Sequence, residues 1–197
     1  KAEQFVNGFD FGLNYRFRPL SLGNFTFETN WTKLNSFFIY TTRGAVRTEL
    51  METNLAATSG ASPKWRGNVQ LNWRRDNWSA GLGMFYTGSF TLSGVTTSRA
   101  TYEALGSPAS IKPVFTNGST LYRMVHRDTQ TYNAFLSYRL RKTDTRSWLR
   151  DTSVRVGVNN LFNAEPPLSD DNNTYESALF NTMAKGRMYS LTLTKTF

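Results

Sequence analysis

Residues Phe9–Phe17 alternate without a break. The odd positions are Phe9, Phe11, Leu13, Tyr15 and Phe17, and the even positions are Asp10, Gly12, Asn14 and Arg16. A strand turns successive side chains to opposite faces, so this segment has one apolar face and one polar face. A helix would need its apolar residues three and four apart, and here they recur at two. The same period runs through Phe25–Trp31, Trp65–Trp73, Trp78–Tyr86, Tyr132–Leu140, Val154–Val158 and Arg187–Phe197. Most of these seven predicted strands run to roughly nine to eleven residues, longer than the ~5–6 usual in soluble proteins. That is the length a tilted strand needs to cross a bilayer.

The connections alternate as well. Short polar links at 18–24, 75–77 and 141–151 follow strands one, three and five, whereas long segments at about 36–62, 88–131 and 159–186 follow strands two, four and six. Long connections are uncommon in a compact domain, but membrane barrels have short turns at one rim and long loops at the other. Composition agrees. Aromatic residues make up 15% of the chain while all hydrophobic residues reach 39%, below the ~45–50% usual for soluble domains. One apolar face per strand, with no second layer to bury it, gives that balance. No apolar run approaches the ~18 residues of a spanning helix. The chain has no cysteine and one histidine, His126, which excludes disulfides, thiol catalysis and Cys-ligated zinc. No cofactor and no enzymatic activity are expected, and nothing at Lys1 reads as a signal peptide.

Position along the strands sorts the side chains further. Tyr15, Trp73, Trp78 and Tyr138 flank the short turns, and Trp31, Trp65, Tyr86, Tyr132 and Tyr189 lie toward the long connections. Two aromatic girdles around an apolar band are the lipid-facing pattern of such barrels. By parity Arg16, Arg66, Arg74, Arg139 and Arg155 line the opposite, lumenal face with Asp10 and Glu28. The arginines there either contact an occupant of the lumen or pair with those acids, and pairing is the plainer expectation. Asp170, Asp171 and Glu176 match no calcium-loop spacing, so no metal is expected.

The segment Val154–Pro167 (VRVGVNNLFNAEPP), followed after a loop by Gly186–Phe197 (GRMYSLTLTKTF), resembles the C-terminal end of TonB-dependent outer-membrane receptors. Val6–Phe17 and the hairpin from Ser62 to Phe90 resemble earlier strands of that family. The resemblance implies an all-β fold: an antiparallel transmembrane β-barrel segment, about seven strands of a larger barrel of about 22 with a plugged lumen. Seven strands in 197 residues is roughly 28 residues per strand with its connection, so the whole barrel needs about three times this length. Residues 1–197 are therefore expected to be the C-terminal part of the barrel domain, with the plug and the earlier strands outside the chain.

The resemblance also implies energy-coupled uptake of a scarce nutrient (siderophore, vitamin, glycan or peptide) across the outer membrane of a Gram-negative-type bacterium. The implied partners are lipid and lipopolysaccharide, the rest of the barrel and its plug, a TonB-type energy-coupling protein, and the barrel-assembly machinery. The last would read Tyr189, Leu191, Leu193 and Phe197, with Lys195 a departure from the apolar pattern. Val158–Phe162 is expected to end a strand and open the last long loop, because asparagine suits turns. Phe37, Phe38, Tyr40, Tyr102, Phe115, Tyr122, Tyr175 and Phe180 are candidate ligand-capture residues on the long loops. Lys33, Arg43, Lys64, Arg123, Lys185 and Arg187 could meet lipopolysaccharide phosphates. Two rival readings stand beside this one: a passive porin or structural barrel within a larger assembly, and a soluble basic β-protein binding nucleic acid, suggested by the net charge of +9. The basic residues are spread along the chain rather than clustered, which speaks against nucleic acid.

Overall fold

The computed structural model describes residues 2–19, 21–54, 62–116, 119–140, 151–167 and 183–196. Its main sheet is built from β1 (Glu3–Phe17), β2 (Asn24–Tyr40), β5 (Trp65–Arg75), β6 (Trp78–Thr87), β10 (Thr129–Arg139), β11 (Thr152–Asn159) and β12 (Met188–Lys195). These are the seven strands read from alternation. They form one sheet in the order β1-β2-β5-β6-β10-β11-β12, each antiparallel to its neighbours, so β1 and β12 are its edges. β1 and β2, at 15 and 17 residues, run further toward the long connections than the alternation reached. The β5–β6 link is a tight two-residue turn, in which Asp76 takes a left-handed φ of 51° that an aspartate tolerates.

Register carries the alternation from single strands to the whole sheet. Tyr15, Phe27, Leu71, Leu82, Ala134, Val158 and Tyr189 are successive partners from edge to edge. Phe17, Phe25, Trp73, Ala80, Leu136, Val156 and Leu191 form the next row. A slip of one residue in any strand would break both rows. Among the described residues nothing covers this apolar face. Leu82 and Leu136 are 46% and 48% exposed although their strands are central. A soluble β-sandwich buries this face against a second sheet, so that architecture is excluded.

The long connections carry more regular structure than expected, and the expectation of plain loops is corrected here. β3 (Thr48–Glu49) adds to β2. β4 (Thr53–Asn54), β7 (Phe90–Thr97), β9 (Ser119–His126) and β8 (Ile111–Thr116) form a second sheet in that order. A one-and-a-half-turn helix, α1 (Arg99–Ala104), is capped by the Ser98 hydroxyl, which accepts from the Thr101 N–H. The buried apolar residues among those described, Leu50, Phe90, Leu92, Val125 and Met183, all lie in this region. Phe90, Leu92 and Met183 form its core, with Met124 and Ala164 against it. One residue from the last connection, Met183, thus packs onto strand β7 of the middle one. Among the described residues the small apolar core sits in this cap, and the wall is left as a single layer.

Candidate functional site

The wall presents two chemically opposite faces. On the apolar face the expected girdle residues gather into contacts. Toward the short turns Phe17 stacks on Phe25 at 5.0 Å and lies 5.8 Å from Tyr15, while Trp78 meets Tyr138 at 4.6 Å. Toward the long connections Trp31 meets Trp65 edge-on at 6.5 Å and Tyr86 at 5.6 Å, and Tyr132 meets Phe162 at 5.1 Å. Gly67 makes room for Trp31, since a Cβ there would overlap the indole. Two of the indole N–H groups are satisfied locally: Trp31 donates to the Thr29 hydroxyl at 2.7 Å and Trp73 to the Leu22 carbonyl at 2.6 Å. Thr29 in turn donates to the Asn68 carbonyl at 2.9 Å. These two indoles and the Thr29 hydroxyl are closed off within the wall, as a hydrocarbon neighbour demands. From Trp65 to Trp73 is about 26 Å along β5, and about 20 Å after a ~40° tilt, comparable to the ~25 Å apolar band of outer-membrane barrels.

Phe37, Phe38 and Tyr40, expected on the long connection at about 36–62, lie in β2. A bulge at Asn35, opposite Asn7 and Gly8, shifts the register. Phe38 and Tyr40 are thereby brought onto the apolar face, where Phe38 stacks on Phe5 at 5.1 Å, and Phe37 goes to the polar face. Arg47 covers the Phe38 ring at 3.9 Å and pairs with Glu49 at 2.6 Å. Of the other capture candidates, Tyr102 in α1 stacks on Tyr122 in β9 at 4.8 Å, and Phe115, next to the last residue of β8, has 73% of its surface exposed. Tyr175, Phe180 and the terminal Phe197 lie outside the described residues, as do Asp170, Asp171 and Glu176. Among the candidate phosphate contacts, Lys33 sits on the apolar face with its Nζ 5.4 Å from the Trp65 ring centre. Arg123 is buried in β9, at 8% exposure, and is not a lipid-facing cation.

The polar face carries Asp10, Glu28, Arg16, Arg66, Arg74, Arg139 and Arg155, all on one side by register. The expected acid–arginine pairing does not form. Asp10 accepts from the Thr32 hydroxyl and Glu28 from the Asn14 amide at 2.8 Å. Neither acid takes part in an ion pair among the described residues. Geometry accounts for this, because each acid has a short polar partner directly across the strand pair; Arg66 shares the row of Asp10 but stands two strands away beyond Thr32, and the other arginines lie on other rows.

Two adjoining clefts open on this face. The larger, about 740 Å³, lies toward the long connections and is lined by Asp10, Asn30, Arg66, Asn68, Phe85 and Asn133, with Asn160 and Met183 at its border. The smaller, about 250 Å³, continues toward the short turns between Phe85, Phe135 and Arg155. Phe135 lies over Gly81, where a Cβ would overlap its ring, and carries the Arg155 guanidinium 3.6 Å from its ring centre. Sequence reasoning singled out neither Phe85 nor Phe135. Their signal was visible as the aromatic residues that fall on the polar parity, beside Gly81 and Gly83.

The Val158–Phe162 motif behaves as expected. β11 ends at Asn159, and Asn160 turns the chain with a φ of 53°. Its buried amide clamps Ala164 from both sides, accepting from the N–H and donating to the carbonyl at 2.8 Å each, and its own N–H donates to Asn133 Oδ1 at 2.9 Å. Among the described residues no group of His, Asp or Glu could hold a metal ion.

A single-layer antiparallel wall with one lipid-compatible face and one wet face defines a membrane β-barrel protein of the outer-membrane type. Residues 2–161 match the family described as TonB dependent receptor-like, beta-barrel, and the chain belongs to that family. No curated protein and no solved structure matches it. The family's setting is the bacterial outer membrane and its members are transporters. The match stops at residue 161, and β12 beyond it pairs with β11 over eight residues.

Proposed function

We propose that this chain forms part of the barrel wall of a TonB-dependent transporter that takes up a scarce nutrient at the expense of inner-membrane energy. The observation that carries the reading is the uncovered apolar sheet face with aromatic clusters at both ends, backed by a polar face with clefts. In this reading the apolar face meets lipid and the polar face meets the interior. The two sheet edges pair with further strands, since an open edge in hydrocarbon leaves backbone groups unsatisfied at several kcal/mol each. The cap of β4, β7, β8, β9 and α1 stands at the outer rim, with Phe115 and the Tyr102–Tyr122 stack as its ligand-facing aromatics. Tyr189, Leu191, Leu193 and Phe197 serve as the assembly signal, and Lys33 and Arg187 meet lipopolysaccharide.

Uptake of the cognate nutrient by cells carrying the intact receptor is the test. Energy coupling predicts that transport stops when the energy-coupling protein is deleted or the proton gradient is collapsed, while binding at the surface persists. Transport that continues under both treatments would make the chain a passive porin.

A further inference from the structure

The larger cleft on the polar face is lined by amides and hydroxyls. Asn30 on β2, Asn68 on β5, Phe85 on β6 and Thr131 on β10 are successive partners on one register row. Thr32, Arg66, Thr87 and Thr129 form the next row toward the long connections. The side-chain amides of Asn30 and Asn68 and the hydroxyls of Thr87 and Thr131 make no hydrogen bond among the described residues. Asn133 stands beside them with its Oδ1 taken by the Asn160 N–H. Gly12, the β1 partner of Asn30, keeps that amide uncovered, since a Cβ there would come within 2.7 Å of Asn30 Oδ1. The Phe85 ring is 49% exposed and reaches toward Gly83, 3.9 Å from where a Cβ would stand.

Charge and donor chemistry decide what such a cleft takes. Its lining holds one acid and one base, Asp10 and Arg66, and the acid already accepts from Thr32. A chelated metal brings its own charge and a peptide brings charged termini, and neither finds an excess of opposite charge here. A primary amide sets a donor beside an acceptor. Two neighbouring hydroxyl groups match it, one accepting from Nδ2 and the other donating to Oδ1. An exposed aromatic ring next to these amides takes the flat C–H face of a sugar ring. The volume of about 740 Å³ lies within the ~300–1,000 Å³ of small-molecule sites, but those are mostly apolar, and this lining is mostly polar. The row from Asn30 to Thr131 crosses three strand intervals, about 14 Å at ~4.8 Å each, which suits an oligosaccharide better than a single sugar.

From this we infer that the larger cleft is a binding subsite for a neutral oligosaccharide, in which Asn30 and Asn68 pair with neighbouring hydroxyl groups, Thr87 and Thr131 meet further ones, and Phe85 takes a ring face. The inference rests on the reading of this chain as a transporter wall with its polar face inward. Its test is calorimetry on the intact receptor in lipid nanodiscs. The probes are neutral gluco-, xylo- and manno-oligosaccharides, an oligogalacturonate, a ferric hydroxamate and a pentapeptide with uncharged side chains. One neutral series is expected to bind. Asn30→Ala with Asn68→Ala is expected to weaken that binding at least about tenfold, in receptor whose heat-shifted gel mobility shows it folded. The O-methylated form of the same oligosaccharide, which has lost its donors, needs no variant and is expected to bind at least about tenfold more weakly to the wild type. Preference for the uronate, the chelate or the peptide, no binding of any neutral series, or neutral binding indifferent to the alanines and to methylation overturns the saccharide subsite. A lipid-phase quencher acting on an environment-sensitive probe at Leu82 reports the wall separately. If Leu82 is quenched and the saccharides fail, the wall stands and the subsite falls. If Leu82 is not quenched, the wall reading fails and the subsite falls with it. If the saccharide binds through these amides yet enters cells whose proton gradient is collapsed, the subsite stands and the energy-coupled reading falls.

Discussion

At the scale of single residues, the division of the sheet into two faces makes neighbouring positions respond in opposite ways. Leu82 and Gly83 are adjacent on β6, and their β5 partners are Leu71 and Gln70. A lysine facing mid-bilayer lipid costs about 2–4 kcal/mol, and one facing the wet side little. Leu82→Lys is therefore expected to destabilise the folded receptor by about 2–4 kcal/mol, and Gln70→Lys by less than about 1 kcal/mol. Equilibrium unfolding from lipid vesicles measures both, and equal losses would refute the assignment of faces. Phe135 gives a second test. Its ring fills the space a Cβ would take at Gly81, so Gly81→Val forces it off its rotamer and away from Arg155, at about 1–3 kcal/mol. Phe135→Ala in the same chain should recover part of that loss, because the ring that clashes is gone. What was legible at this scale was parity. The arginines, the acids and the girdle aromatics all fall on the faces that counting by two assigned them. Side-chain partners were not legible, since whether Glu28 meets Arg16 or Asn14 depends on cross-strand register, and no single strand contains it.

Elements divide into those that lipid constrains and those that it does not. The seven wall strands were readable because one face of each must be uniformly apolar over a bilayer's width, which imposes an uninterrupted period of two. β7 and β9 bury Phe90, Leu92 and Val125 against a small core of mixed origin. Their threonines and the register irregularity between Thr91 and Thr96 blur any period, so they read as loop. The bulge at Asn35 was equally silent, yet it moves Phe38 and Tyr40 to the face opposite the one simple counting gives. The turn at Asn160 was readable, because asparagine combines tolerance of left-handed backbone with a side chain that can satisfy it. Its prediction is quantitative. Asn160→Ala removes two hydrogen bonds to Ala164, leaves partly buried backbone groups unsatisfied, and strains the backbone at φ 53°. The expected local cost is about 2–4 kcal/mol. Asn160→Gly relieves the backbone part, at about 1 kcal/mol, and keeps the hydrogen-bond loss. Hydrogen exchange at Leu161–Ala164 should accelerate in the order alanine, glycine, wild type, and an identical rate in all three would show that the clamp does not hold the connection.

For the whole molecule, the decisive quantity is the unpaired backbone at the sheet edges. β1 pairs on one side over 15 residues and β12 over eight. In water such edges are solvated and invite association with other strands. In hydrocarbon each unmet N–H or C=O costs several kcal/mol, and alternate residues of both edges point such groups outward. That penalty exceeds the ~5–15 kcal/mol by which a folded domain is stable. A polypeptide limited to these 197 residues is therefore expected to insert into vesicles as a multimer or not at all, without a discrete folded monomer that shifts on unheated gels. Adding strands able to pair with β1 and β12 should restore a monomer of defined mobility, because closure is what removes both edges at once. The same reasoning separates wall from cap. The β4-β7-β9-β8 sheet has its own buried residues and lies beyond the apolar band, so deleting the β8–β9 hairpin (Ile111–His126) should leave the closed barrel's assembly intact while altering ligand binding at the surface. Loss of assembly on that deletion would mean that Phe90, Leu92 and Met183 brace the wall through the cap, and the two would then be one cooperative unit.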